Sequence, residues 1–192
     1  VQDIQTSYLL NELKDNDVKE FVNDSMVQIK YMSKTLSDFR NFLKPSTKKN
    51  LFSVSKALNE INEIIGKQIF YSNIQMNFNY KNKNEELLIY GYENEFKQVL
   101  LNIINNAKNK IVEKNLPLNK KGSIDINIDK CINYNTIEII DDAGEIDEKI
   151  INSIFEPYFT TKEDGMGLGL YMAKIIIEDK MRGIINVRND EN

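Results

Sequence analysis

The sequence has no histidine and no tryptophan, a single cysteine and only three prolines. Without histidine, imidazole acid–base chemistry, His-dependent triads and most transition-metal sites are excluded from within the chain. Cys131 alone excludes a disulfide framework and a Cys-based zinc site. No apolar run approaches the roughly 20 residues a membrane helix needs, and no signal-peptide pattern opens the chain. Positive charge is in slight deficit, 25 Lys and Arg against 29 Asp and Glu, for a net charge of −4. A nucleic-acid partner wants a basic face, so none is expected.

What is present is an ordinary globular profile: 192 residues, 41% hydrophobic and 28% charged. That length suits one large domain or two small ones. The 27 Ile and 26 Asn are dispersed, which we read as AT-rich codon bias and not as a prion-like tract.

The clearest periodic signal is Val18, Val22, Ser25, Ile29, Met32, Leu36, Phe39 and Leu43. The steps alternate between four and three, a heptad seam over a long helix. Phe21, Met26 and Phe42 widen its apolar face. Such a helix needs partners, and residues 1 to about 14 read as the end of a preceding helix. A hairpin forming half of a four-helix bundle, with homodimerisation through the 17–43 helix, is the expected arrangement. Lys44-Pro45-Ser46-Thr47-Lys48-Lys49-Asn50 breaks the pattern. The expected division is 1–44, a linker at 45–50, and a second domain over 51–192.

In the second domain the periods alternate. Ser53 or Ser55 is positioned to cap a helix running through Ile65. Ile74, Met76, Phe78 and Tyr80 predict a half-buried strand, and Leu87–Tyr90 a second one beyond a turn at Lys81–Glu85. Phe96, Val99, Leu100, Ile103, Ala107 and Ile111 mark one helix face. Ile124, Ile126 and Ile128 alternate as a strand, with Thr136–Ile140 as its hairpin partner. A helix from about Met166 to Asp179 and a strand over Gly183–Arg188 close the chain. The class is α+β, helices on one face of a mixed sheet.

Three segments carry chemistry. Opposite the apolar face of the 93–112 helix runs a stripe of Glu95, Gln98, Asn102, Asn105, Asn106 and Asn109. Asn102 and Asn106 are four apart, so their amides share a face. Next, the strand Ile137–Ile140 runs into Asp141, Asp142, Ala143 and Gly144. A strand-end carboxylate can accept a hydrogen bond from an exocyclic amine such as that of adenine. Third, Phe155-Glu156-Pro157-Tyr158-Phe159-Thr160-Thr161-Lys162 leads to Gly165-Met166-Gly167-Leu168-Gly169. Glycines at alternate positions before an apolar helix form a nest of amides suited to phosphate. Taken singly, each has an ordinary structural reading: a solvated helix face, a surface turn, a glycine-rich loop.

Their order is the informative feature. It resembles the ATP-binding catalytic domain of sensor histidine kinases, a two-layer α/β sandwich shared with gyrase and Hsp90. Asn102–Ala107 resembles the N box, Asp141–Gly144 the G1 box, Phe155–Phe159 the F box and Gly165–Gly169 the G2 box. Met32–Phe42 is similar to the second helix of the dimerisation and phosphotransfer domain. The resemblance implies an ATP and Mg²⁺ site. Asn106 would present its amide oxygen to Mg²⁺, with Asn102 assisting. Asp141 would read adenine beside Gly144. Gly165, Gly167, Leu168 and Gly169 would cradle the phosphates. Phe155, Pro157, Tyr158 and Phe159 would hinge a lid, with Thr161 and Lys162 beside the nucleotide.

It further implies a protein-histidine kinase whose partner is a response-regulator receiver domain and whose location is cytoplasmic; membrane anchoring of a longer parent is left open. Three departures accompany it. The phosphoacceptor His is absent, so it is expected upstream of Val1, and the chain alone is not expected to phosphorylate itself. Glu145 stands where the G1 box usually has Gly, which keeps a degenerate, non-catalytic dimerising module as the alternative. The family adds a further strand after the one expected at 183–188. A gyrase-type ATPase would need a Glu at Asn102 to activate water.

Overall fold

The computed structural model describes residues 18–19, 21–27, 29–30, 33, 45–81, 86–114, 116–117, 120–162 and 165–189. The chain divides into two compact units, Val1–Lys44 and Pro45–Asn192. In the first, the described residues are helical. Val18, Val22, Met26, Val27 and Ile29 are exposed there. The helix expected at 1–14 and the seam positions Met32, Leu36, Phe39 and Leu43 lie outside the described residues.

The second unit opens with strand β1 (Asn50–Ser53) and helix α1 (Val54–Tyr71). Ser53 is the N-cap, accepting from the Lys56 amide, and Ser55 hydrogen-bonds to the Ser53 hydroxyl at 2.9 Å. The helix buries Val54, Ala57, Leu58, Ile61, Ile65 and Ile69, a three-and-four spacing that puts one stripe on the core. Strands β2 (Ile74–Tyr80) and β3 (Leu88–Gly91) follow. Next comes the long helix α2 (Glu93–Glu113), then β4 (Gly122–Lys130) and β5 (Asn135–Asp141). A short α3 (Glu148–Ile151) precedes α4 (Gly169–Lys174), which continues as a π-helix over Ile175–Lys180.

Two sheets form where one was expected. β1 pairs antiparallel with β3, and a mixed sheet has the order β2-β4-β5, β4 lying parallel to β2 and antiparallel to β5. In β4, Ile124, Ile126 and Ile128 are buried under the helices while Asp125, Asn127 and Asp129 alternate on the outer face. That outer face is laced by amides. Asn77 donates to Asp125 at 2.9 Å, Asn79 to Asn127 at 3.0 Å, and Asn127 to Glu138 at 3.2 Å. Part of the asparagine excess is therefore a cross-strand polar ladder.

Three expectations need correction. The last helix begins at Gly169, not Met166, because Gly167 takes a positive φ of 65°. Residues 183–188 form no strand. The Gly183 amide donates to the Ile177 carbonyl at 2.8 Å, and beyond it side chains tie the segment: Arg188 reaches Glu138 of β5 at 2.7 Å, and the next residue, Asn189, binds the backbone of Ile146. Residues 45–50 are no free linker, since β1 starts at Asn50 and Ser46 is bonded into α2.

That bond supplies a missing cap. Tyr92, at the N-cap of α2, offers no side-chain bond. Ser46 Oγ instead accepts from the Asn94 amide at 3.2 Å, and both Glu95 oxygens stand 3.2 Å from the Ser46 amide. This is capping-box chemistry with the serine supplied from a distant segment. It also moves Glu95 off the expected polar stripe into a buried position. Ser46→Ala is expected to cost about 1 kcal/mol in urea unfolding, and Glu95→Ala a similar amount. A loss within about 0.3 kcal/mol for both, the scatter of ordinary surface changes, would show that the cap is idle.

Candidate nucleotide-binding site

Helix α2 sets the geometry. Phe96, Val99, Leu100, Leu101, Ile104, Ala107 and Ile111 are buried. Lys97 is buried too, pairing with Glu60 of α1 at 2.6 Å and with Glu93 at 3.1 Å. Anchored on two sides, the helix cannot rotate about its axis without breaking these contacts. Its remaining face presents the half-buried Asn102, Asn105, Asn106 and Asn109.

This face is covered by the glycine-rich segment. Asn102 Nδ2 donates to the Gly169 carbonyl at 3.3 Å, and the Lys162 ammonium donates to Asn106 Oδ1 at 3.4 Å. The first approach does not require glycine: a Cβ on Gly169 would stand 3.8 Å from Asn102 Cγ, in ordinary contact. Gly167 is under a harder constraint. A Cβ on it would lie 2.5 Å from the Phe159 carbonyl oxygen, with the Tyr158 carbonyl carbon also in its way. Tyr158 itself has a φ of 65°, uncommon for a bulky residue. The F-box-like and glycine-rich backbones therefore cross with no side chain between them. Thr160 Oγ1 accepts from the Lys162 amide at 3.0 Å, and the Gly165 amide returns to the Lys162 carbonyl at 3.2 Å. Leu168 opens α4, its carbonyl accepting from Met172. Phe155 is half-buried with the Lys174 ammonium 5.9 Å from its ring centroid, Phe159 is half-buried, and Pro157, Tyr158 and Thr161 are exposed. Positions 163–164 of the expected lid lie outside the described residues.

The acidic loop sits past the other end of α2. Asp141 ends β5, exposed, and its Oδ1 accepts from the Ala143 amide at 3.0 Å. Asp142 Oδ1 accepts from the Ser123 amide at 3.0 Å. Lys114, just beyond α2, donates to the Asp142 carbonyl at 2.8 Å. Gly144 has a φ of 99°, a conformation that suits glycine. Glu145 is exposed. Glu113 is held below the usual carboxylate range, first by its hydrogen bond from Lys110; burial opposes this, and the charges of Lys110 and Lys162 add to the lowering.

Asn102 accordingly touches the glycine-rich segment and Asn106 touches Lys162 ahead of it, while Lys114 ties the acidic loop to the same helix. Among the described residues no hydrogen bond joins the two loops directly; α2 links them. Lys114 escaped the sequence reading because a lysine at a helix end is commonplace, and only the fold shows which loop it reaches.

The family described as Histidine kinase-, DNA gyrase B-, and HSP90-like ATPase matches residues 91–192, from the end of β3 through both loops. The chain belongs to this ATPase family. Sporulation kinase A of Bacillus subtilis (strain 168) is 30% identical over 154 residues, covering 79% of this chain and 24% of the relative. Sporulation kinase C of the same organism is 26% identical over 164 residues, 85% of this chain and 36% of the relative. The chain thus spans between a quarter and about a third of these curated relatives' length. A nucleotide-free catalytic domain of histidine kinase ThkA superposes with a TM-score of 0.64 at 28% identity, over 76% of this chain and 90% of that one. ThkA in complex with the response regulator protein TrrA matches 93% of this chain and 50% of that chain, with a TM-score of 0.57 at 21% identity, a likeness of fold. The α+β sandwich of this ATPase family is therefore the fold of the second unit.

The contrast between two glycines is testable. Gly167→Ala combines a blocked Cβ with a positive φ and is expected to cost about 1–3 kcal/mol, read as a lowered unfolding midpoint. Gly169→Ala, at the first position of α4, is expected to be neutral or to stabilise by up to about 1 kcal/mol. Equal tolerance of both would show that the close backbone crossing is not maintained in solution.

Proposed function

We propose that the second unit binds Mg²⁺–ATP and acts as the catalytic domain of a sensor histidine kinase. The observation that carries this is the meeting of Asn102 with Gly169 and of Asn106 with Lys162 along one face of α2, with Asp141 on the loop tied to its end. Asn106 supplies the magnesium ligand. Its Oδ1 accepts from the Lys162 ammonium, and as a hard oxygen donor it would suit the ion. Mg²⁺ takes few protein ligands and completes its shell with water and phosphate oxygens, which fits one amide oxygen. When bound, it neutralises phosphate charge.

The chain's own residues do the rest. Asp141 accepts from the adenine amine. Gly165, Gly167, Leu168 and Gly169 cradle the phosphates at the start of α4 with backbone amides, and Gly144 shapes the base end. Phe155, Pro157, Tyr158 and Phe159 hinge the lid, and Thr161 and Lys162 lie where a phosphate contact is made. Phosphoryl transfer asks mainly for positioning and charge neutralisation. With no histidine in the sequence, the acceptor imidazole comes from outside these 192 residues. In the full-length protein the phosphoryl passes from that His to an Asp of a response regulator. The solved complex of ThkA with TrrA supports this class of partner. Exposed Val22 and Ile29 on the heptad seam, with Met26 beside it, support homodimerisation through the 17–43 helix. The exposure of Glu145 favours retained nucleotide binding over a degenerate module.

Calorimetric titration with a non-hydrolysable ATP analogue and Mg²⁺ tests the site. Asp141→Asn is expected to weaken binding at least tenfold, about 1.4 kcal/mol, by replacing an acceptor-only group. Asn106→Asp is expected to alter the Mg²⁺ dependence of the heat. Equal titrations for parent and both variants would reject the assignment.

A further inference from the structure

The loop after β5 is held at its beginning by bonds already described: Asp141 to Ala143, Asp142 to Ser123, and Lys114 to the Asp142 carbonyl. Its end is held from elsewhere. Asn189 Oδ1 accepts from the Ile146 amide at 2.8 Å, and Asn189 Nδ2 donates to the Ile146 carbonyl at 2.8 Å. One side-chain amide thus satisfies both backbone groups of a half-buried residue, reproducing a rung of a β-ladder without a strand. A side-chain amide carries a donor and an acceptor on separate atoms and so can serve both groups at once; a carboxylate accepts only, and a leucine of similar shape does neither. Leaving such groups without partners costs free energy. Asn189 is moored in turn by its neighbour Arg188, bonded to Glu138 in the strand that ends at Asp141.

We infer that Asn189 is a positioning residue for the base-binding loop, an inference that rests on the nucleotide reading above. By clamping Ile146 it fixes the path of Gly144 and Glu145, two and one residues earlier, and so the setting in which Asp141 meets the adenine. Released, the loop lets the Glu145 carboxylate sample positions nearer the ligand, where its charge opposes binding. The phosphate end, built on α2 and the glycine-rich segment, does not depend on this clamp. The role is therefore specific to the base.

The test uses the 192-residue chain, with Mg²⁺ and two probes, a non-hydrolysable ATP analogue and inorganic tripolyphosphate. Asn189→Leu is expected to weaken the ATP analogue about tenfold, the scale of one or two lost hydrogen bonds, and to leave tripolyphosphate unchanged. Asn189→Asp, which keeps the acceptor for the Ile146 amide, falls between. Amide exchange at Ile146 is expected to accelerate in Asn189→Leu, which reads the clamp without any ligand. Equal loss for both probes would show a merely structural role, and unchanged analogue affinity or unchanged exchange at Ile146 would overturn the inference. If Asn189→Leu is silent while Asp141→Asn weakens binding, the clamp alone fails. If Asp141→Asn is silent as well, the nucleotide reading fails and takes the clamp's proposed role with it.

Discussion

The rotational setting of α2 is the constraint on which the rest depends. A helix presents a new face with each residue, so its polar groups point usefully only if its apolar groups leave no choice. Here seven apolar residues are buried, and Lys97 is locked between Glu60 and Glu93. The opposite face can then carry four asparagines, a poor choice for helix propensity, because packing outweighs their small local cost. Ser46 and Glu95 secure one end of the helix, and Lys114 ties the other to the acidic loop. The candidate site is thus organised along one rigid element, with loops fastened to it from both sides.

Charge is distributed along that element in a way that matches an asymmetric ligand. Lys162 lies over the asparagine face, beside the glycines. Asp141 and Asp142 lie on the loop that Lys114 reaches. A purine triphosphate has the same polarity, an amine-bearing base at one end and dense negative charge at the other. Backbone supplies the remainder: Gly167 lets two chain segments cross, and the strained Tyr158 is held by that crossing. Strain of this kind persists where the surroundings over-determine it.

Much of this was legible from the amino acids, for a reason visible in the elements themselves. β4, α1 and α2 each have one buried and one solvated face, so burial writes its period into the residues; β2 and β5 are only partly buried and are marked by their apolar side chains. β1 escaped because four residues with two exposed and two buried show no period. The Ser46 cap escaped because its partners are nearly fifty positions away. Residues 183–188 misled because Ile184, Ile185 and Val187 look like a strand; the chain there is tied by the Arg188 and Asn189 side chains and forms no ladder. The π-helical turn at Ile175–Lys180 has no compositional mark to distinguish it from α-helix. The boxes were readable as a set because their order, more than any one of them, is distinctive; Lys114 and Asn189 belong to no box and emerged only from the fold.

The most direct measurement is hydrogen exchange across the whole chain, with and without a saturating non-hydrolysable ATP analogue and Mg²⁺. One ligand bound across α2 and both loops predicts that residues 102–109, 141–147 and 158–169 gain protection together, at the same analogue concentration. Protection confined to one of these stretches, or appearing at separate concentrations, would contradict a single site built on α2.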